Sequence, residues 1–144
     1  GDSRMKKNIL FTFTIFILSF CVSPPEYSDG LLENIPAIVN EPDYFSLSIF
    51  GDQFSEDNEW ELSLDVTEFD MMLQTLAVKD LNSSSDSTYL YVRGADGDTL
   101  LYAWIMSDMN WSSEDSVSYF GYPDNVIFSG KNFSGRIEYQ LLKK

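Results

Sequence analysis

Tyr89-Leu90-Tyr91-Val92-Arg93 is followed by Gly94-Ala95-Asp96-Gly97-Asp98 and then by Thr99-Leu100-Leu101-Tyr102-Ala103-Trp104-Ile105-Met106. Two β-branched and aromatic runs flank a short break rich in glycine and aspartate. That arrangement predicts a β-hairpin, because glycine supplies the positive φ of the turn without a Cβ clash. The same period of two extends outward in both directions. Phe45, Leu47 and Ile49 alternate with Ser46 and Ser48; Trp60, Leu62, Leu64 and Val66 alternate with Glu61, Ser63 and Asp65; Ile137, Tyr139 and Leu141 alternate with Arg136, Glu138 and Gln140. Each is the pattern of a half-buried strand. Runs at residues 71–78, 117–120 and 126–128 complete the set. The expected fold is all-β, an antiparallel β-sandwich or jelly roll of about 7–8 short strands. Residues 67–78 admit a second reading, since Met71, Met72, Leu73 and Leu76 also fit one short helix. Trp60 and Trp104 lie inside strand patterns and are expected in the core.

Composition narrows the chemistry. Apolar residues make up 44% of 144, which is enough for one core and too many for a disordered chain. There is no His and a single Cys. A Ser-His-Asp or Cys-His site cannot be assembled from this chain alone, nor can an internal disulfide or a multi-Cys metal site. The formal net charge of −14 repels nucleic acid, whose binding needs Lys and Arg, and disfavours anionic lipid surfaces. The expectation is therefore no enzyme and no nucleic-acid partner.

The first residues read as an address. Gly1-Asp2-Ser3-Arg4 precedes Met5 and reads as a cloning scar or an upstream mis-start. Lys6-Lys7, then an almost wholly apolar run over residues 9–20, then Cys21, make a signal peptide over residues 5–21. The run is too short to span a bilayer comfortably. Leu18-Ser19-Phe20-Cys21 resembles a bacterial lipoprotein lipobox, with Phe20 where a small residue is usual. That resemblance implies lipidation at Cys21, a membrane partner through the acyl chains, and a place on the bacterial outer membrane or cell surface. Without lipidation the chain is expected to be periplasmic or secreted. Removing residues 1–21 takes away Arg4, Lys6, Lys7 and Asp2, leaving six basic and 22 acidic residues, a net of −16. Residues 22–42, with Pro24, Pro25 and Pro36, read as a Pro-rich tether, and residues 43–144 as the β domain. Leu31, Leu32, Ile35, Ile38 and Val39 predict that part of the tether packs on that domain as a first strand or turn.

The second half is similar to the bacterial pre-peptidase C-terminal domain. Residues 89–101 resemble that family's strand and turn, Glu114-Asp115-Ser116-Val117-Ser118-Tyr119 its Ser/Glu-rich segment, and Ser129-Gly130 with Ser134-Gly135-Arg136-Ile137-Glu138-Tyr139-Gln140-Leu141 its close. Ser87-Thr88 stand where an acidic pair is usual. The resemblance covers residues 86–142 and implies a jelly-roll-like sandwich, secretion, and accessory binding without catalysis.

Two groups of residues stand out as candidate sites. Asp52, Glu56, Asp57 and Glu59 crowd one expected loop, Asp96 and Asp98 a hairpin tip, and Asp108, Glu114 and Asp115 another loop. Oxygen ligands of this kind suit Ca²⁺, which takes six to eight of them. The competing reading is plain turn chemistry and solvated acidic surface. Trp111 falls in a polar stretch, followed by Tyr119 and Tyr122. A Trp on a loop stacks on a sugar or anchors a protein, or else folds back over the core. The expected function is an exported, lipid-anchored binding or accessory module. The alternatives are a structural, protein–protein component of an envelope assembly and a calcium-dependent glycan-binding module.

Overall fold

Phe45, Leu47 and Ile49 are fully buried, while Ser46 and Ser48 between them are not. That alternation repeats along most of the chain and builds two antiparallel sheets. The computed structural model describes residues 30–83 and 87–144. The signal peptide, Cys21, residues 22–29 of the Pro-rich tether and residues 84–86 lie outside the described residues. One compact unit runs from Leu31 to Lys144. It begins inside the segment read as tether.

The strands are β1 (Ala37–Glu41), β2 (Tyr44–Phe54), β3 (Asp57–Glu61), β4 (Met71–Ser83), β5 (Tyr89–Gly94), β6 (Thr99–Trp104), β7 (Met109–Ser116), β8 (Pro123–Ser129) and β9 (Phe133–Lys143), with a single-turn helix α1 (Val117–Phe120). The first sheet has the order β1-β2-β9-β4-β7 and the second β3-β8-β5-β6. They pack as a sandwich, so the all-β expectation holds. Between the sheets lie Phe45, Leu47, Ile49, Leu76, Leu90, Val92, Phe128, Phe133, Ile137 and Leu141, all buried. Phe54 packs on Phe128 at 5.8 Å between ring centroids, and Phe128 on Phe133 at 5.6 Å.

The strand reading of residues 71–78 holds over the helical one, and three other expectations need correction. Residues 71–78 form no helix; they open β4, the long strand between β9 and β7. Met72, Gln74, Leu76 and Val78 are buried and the residues between them half-buried, which is a period of two. Leu73 and Ala77 on the outer face are apolar as well, so the run lacks the polar alternation of a half-buried strand and mimics a helical stripe. Conversely, the run at 117–120 is not a strand but α1. Trp111 is not on a loop, because Met109–Ser116 is strand β7. Trp104 is not in the core. It is 47% exposed, on the outer face of the second sheet. The reason is register: Tyr89 pairs with Trp104 and Tyr91 with Tyr102, while Leu90 and Val92 face inward.

The hairpin of residues 94–98 forms as read. Gly94 N–H donates to the Asp98 carbonyl at 2.8 Å, and Gly97 adopts φ +83°, the region glycine favours.

Candidate functional site

Residues directly opposite each other in a ladder share a face of the sheet. Leu76 pairs with Trp111, Gln74 with Ser113 and Met72 with Asp115. Trp111, Ser113 and Asp115 therefore point inward from β7, into the space between the sheets, where the other strands carry Leu, Ile and Phe. β7 is the edge of the first sheet and β6 the edge of the second. Along the seam between them the apolar core stops and a polar cleft begins.

Two adjoining cavities fill this seam. One, of about 460 Å³, is lined by Gln74 of β4, Thr99, Leu100 and Leu101 of β6, Trp111, Ser113 and Asp115 of β7, and Tyr119 and Phe120 of α1. The other, of about 530 Å³, lies between the 94–100 hairpin and residues 117–122, and includes Asp96, Asp98, Tyr119 and Tyr122. Thr99, Leu100, Tyr119 and Phe120 line both. α1 and the following turn at Gly121 hold Tyr119 out over the opening, where it is 84% exposed.

The floor of the smaller cavity is unusual for a core. Gln74 is 2% exposed and Tyr139 is fully buried. The Tyr139 hydroxyl donates to Gln74 Oε1 at 2.6 Å. Burial pushes the Tyr139 phenol well above its ordinary range, so it stays a neutral donor. The Gln74 amide nitrogen makes no hydrogen bond among the described residues. Gln74 Nε2 is not among the buried atoms that lack a partner, so it meets the open space of the cavity and is free to donate to whatever enters. Asp115 accepts from the Ser113 hydroxyl at 3.1 Å, and its other oxygen makes no hydrogen bond among the described residues.

The structure thus brings together Trp111, Tyr119, Tyr122, Asp96, Asp98 and Asp115 from the sequence-derived candidates. It does not gather the acidic residues as a whole. By register, Asp52, Glu56, Asp57 and Asp108 lie at one end of the sandwich, and Asp96, Asp98, Glu114 and Asp115 toward the other. Most have partners: Asp57 accepts from the Ser129 hydroxyl, Asp108 from Leu81 N–H at 2.9 Å, and Glu114 pairs with Lys144 at 3.2 Å. Glu59 holds both Arg93 at 3.0 Å and Asn125 at 2.9 Å. Among the described residues, no three such side chains stand close enough together to hold a metal ion.

Sequence reasoning missed Gln74. The available signal was a lone amide in the otherwise apolar register of residues 72, 76 and 78. No model of a known protein family matches this chain, and no curated protein matches it.

Proposed function

We propose that this chain is a non-catalytic binding module that takes a hydroxyl-rich ligand, a glycan in particular, in the cleft between β6 and β7. The observation that carries the reading is Gln74, a buried amide whose free end opens on a cavity walled by Trp111, Tyr119 and Asp115. An indole and a phenol offer flat apolar surface to the C–H face of a sugar ring. Amide, carboxylate and hydroxyl groups beside them match its alcohols with donors and acceptors. A neutral ligand also suits a chain of net charge −14, which repels polyanions.

The test is calorimetric titration of neutral oligosaccharides into the protein and into Trp111→Ala and Asp115→Asn variants. Trp111→Ala should weaken binding at least tenfold, the equivalent of about 1.4 kcal/mol. Oligosaccharide binding that both variants leave untouched places the ligand elsewhere and rejects this reading.

The module acts at a membrane surface, held there by acyl chains on Cys21, after the lipobox-like Leu18-Ser19-Phe20-Cys21. The likeness of residues 86–142 to the pre-peptidase C-terminal domain supports an accessory role of the same kind. Mass spectrometry of the native protein should find a mature N-terminus at Cys21 carrying acyl chains. An unacylated N-terminus removes the anchor from the account and leaves the binding role standing.

A further inference from the structure

Four strands form the edges of the two sheets, and three of them are guarded. β1 lies between Pro36 and Pro42. β3 carries Asp57, Glu59 and Glu61, and β7 carries Glu114 and Asp115. Charge and proline are the usual means of stopping a sheet edge from pairing with another chain. β6 has neither. The stretch Thr99-Leu100-Leu101-Tyr102-Ala103-Trp104-Ile105-Met106 contains no charged residue, in a chain where 22% of residues are charged.

Its free edge is also chemically open. Ile105 N–H donates to the Thr88 carbonyl at 2.9 Å, and the register pairs Leu90 with Ala103. Residues that exchange hydrogen bonds alternate along an antiparallel ladder with those that do not. Ala103 and Ile105 therefore turn their backbone groups to β5, and Tyr102 and Trp104 turn theirs away from it. No strand among the described residues pairs with that side. The side chains at the same positions are exposed: Tyr102 by 44%, Trp104 by 47% and Met106 by 66%. Tyr102 and Trp104 pack edge to face at 5.2 Å, and Tyr102 stacks on Tyr89 at 5.1 Å, so the patch is already ordered.

We propose that β6 is a pairing edge for a second copy of this chain, joined antiparallel about Ala103. In that register Tyr102 of each copy stands opposite Trp104 of the other, and the two make reciprocal backbone hydrogen bonds. The interface is self-complementary, as a two-fold dimer requires. Cross-strand aromatic pairs are among the more stabilising ones in sheets. Charge decides between a copy and a repelled neighbour. Residues 99–107 of each copy, the paired stretch, carry no charge, and Asp98 stands opposite Asp108 of the other copy only at its two ends, a repulsion that salt screens. The acidic row on β3 sits at the far edge of its sheet, seven strand spacings from its counterpart. At about 4.8 Å per strand that is roughly 34 Å, well beyond the Debye length of about 10 Å at 0.1 M salt.

The test is sedimentation velocity of the full chain from micromolar to hundreds of micromolar, in low and high salt, with amide exchange read at Tyr102 and Trp104. The expected result is a reversible dimer that tightens as salt screens the net charge, with both amides exchanging more slowly as the dimer fills. Trp104→Lys should weaken it at least tenfold, and Tyr102→Lys likewise, with unfolding midpoints near that of the parent. A monomer at every concentration overturns the proposal, and so does self-association that neither lysine weakens. Oligosaccharide contact at Trp104 in a chain that stays monomeric would assign the face to a glycan and overturn it too.

Discussion

The Tyr139 hydroxyl donates to Gln74 Oε1 at 2.6 Å, linking the centre of the core to the floor of the seam cleft. Both side chains are buried, and neither has another use for that bond. Tyr139→Phe should therefore cost about 1–3 kcal/mol, because it strands the Gln74 carbonyl without its donor. The double variant Tyr139→Phe, Gln74→Leu removes both polar ends and should recover most of the loss. Urea denaturation of the two variants checks this. A double variant no more stable than Tyr139→Phe contradicts it.

Burial raises the Tyr139 phenol above its ordinary 10.0. A phenol is neutral when protonated, so the fold favours the protonated form. Its contribution to stability is complete below pH 10, where the unfolded chain is also protonated. Above that pH the unfolded chain ionises and the folded one does not. Stability should then fall by about 1.4 kcal/mol per pH unit from this residue. The advantage of the parent over Tyr139→Phe should shrink by that slope between pH 10 and pH 11. Parallel pH profiles would show that the phenol titrates normally in the fold.

Calcium should leave the protein's unfolding temperature unchanged. The carboxylates are divided between the two ends of the sandwich, and Asp57, Asp108, Glu114 and Glu59 are spent on Ser129, Leu81, Lys144, Arg93 and Asn125. A ligand at 100 times its dissociation constant would stabilise by about 2.7 kcal/mol. Thermal unfolding in millimolar Ca²⁺ and in chelator checks this, and a higher midpoint in Ca²⁺ contradicts it.

The strands around Phe45-Ser46-Leu47 and Ile137-Glu138-Tyr139 were legible because one face is buried and the other wet. β4 was ambiguous because its opening residues are apolar on both faces, Leu73 and Ala77 outside as well as Met72 and Leu76 inside. β7 escaped notice for the opposite reason. It is an edge strand whose inner face carries Trp111, Ser113 and Asp115 in place of aliphatic residues, so Met109–Ser116 reads as a polar loop. Tyr89, Tyr91, Tyr102 and Trp104 could have been assigned to one outer face from the hairpin register alone. The meeting of Trp111 with Tyr119 and Gln74 could not. It depends on β6 and β7 closing the same side of two different sheets, a relation between distant segments that no local pattern encodes.

The most direct test of the cleft is the side-chain amide signal of Gln74, followed by NMR while neutral oligosaccharides are titrated into isotopically labelled protein. The account predicts that the Gln74 amide and the Trp111 indole signals move together and saturate at one dissociation constant. It also predicts that Trp111→Ala abolishes the Gln74 response. Bound oligosaccharide that leaves the Gln74 amide unmoved would contradict it.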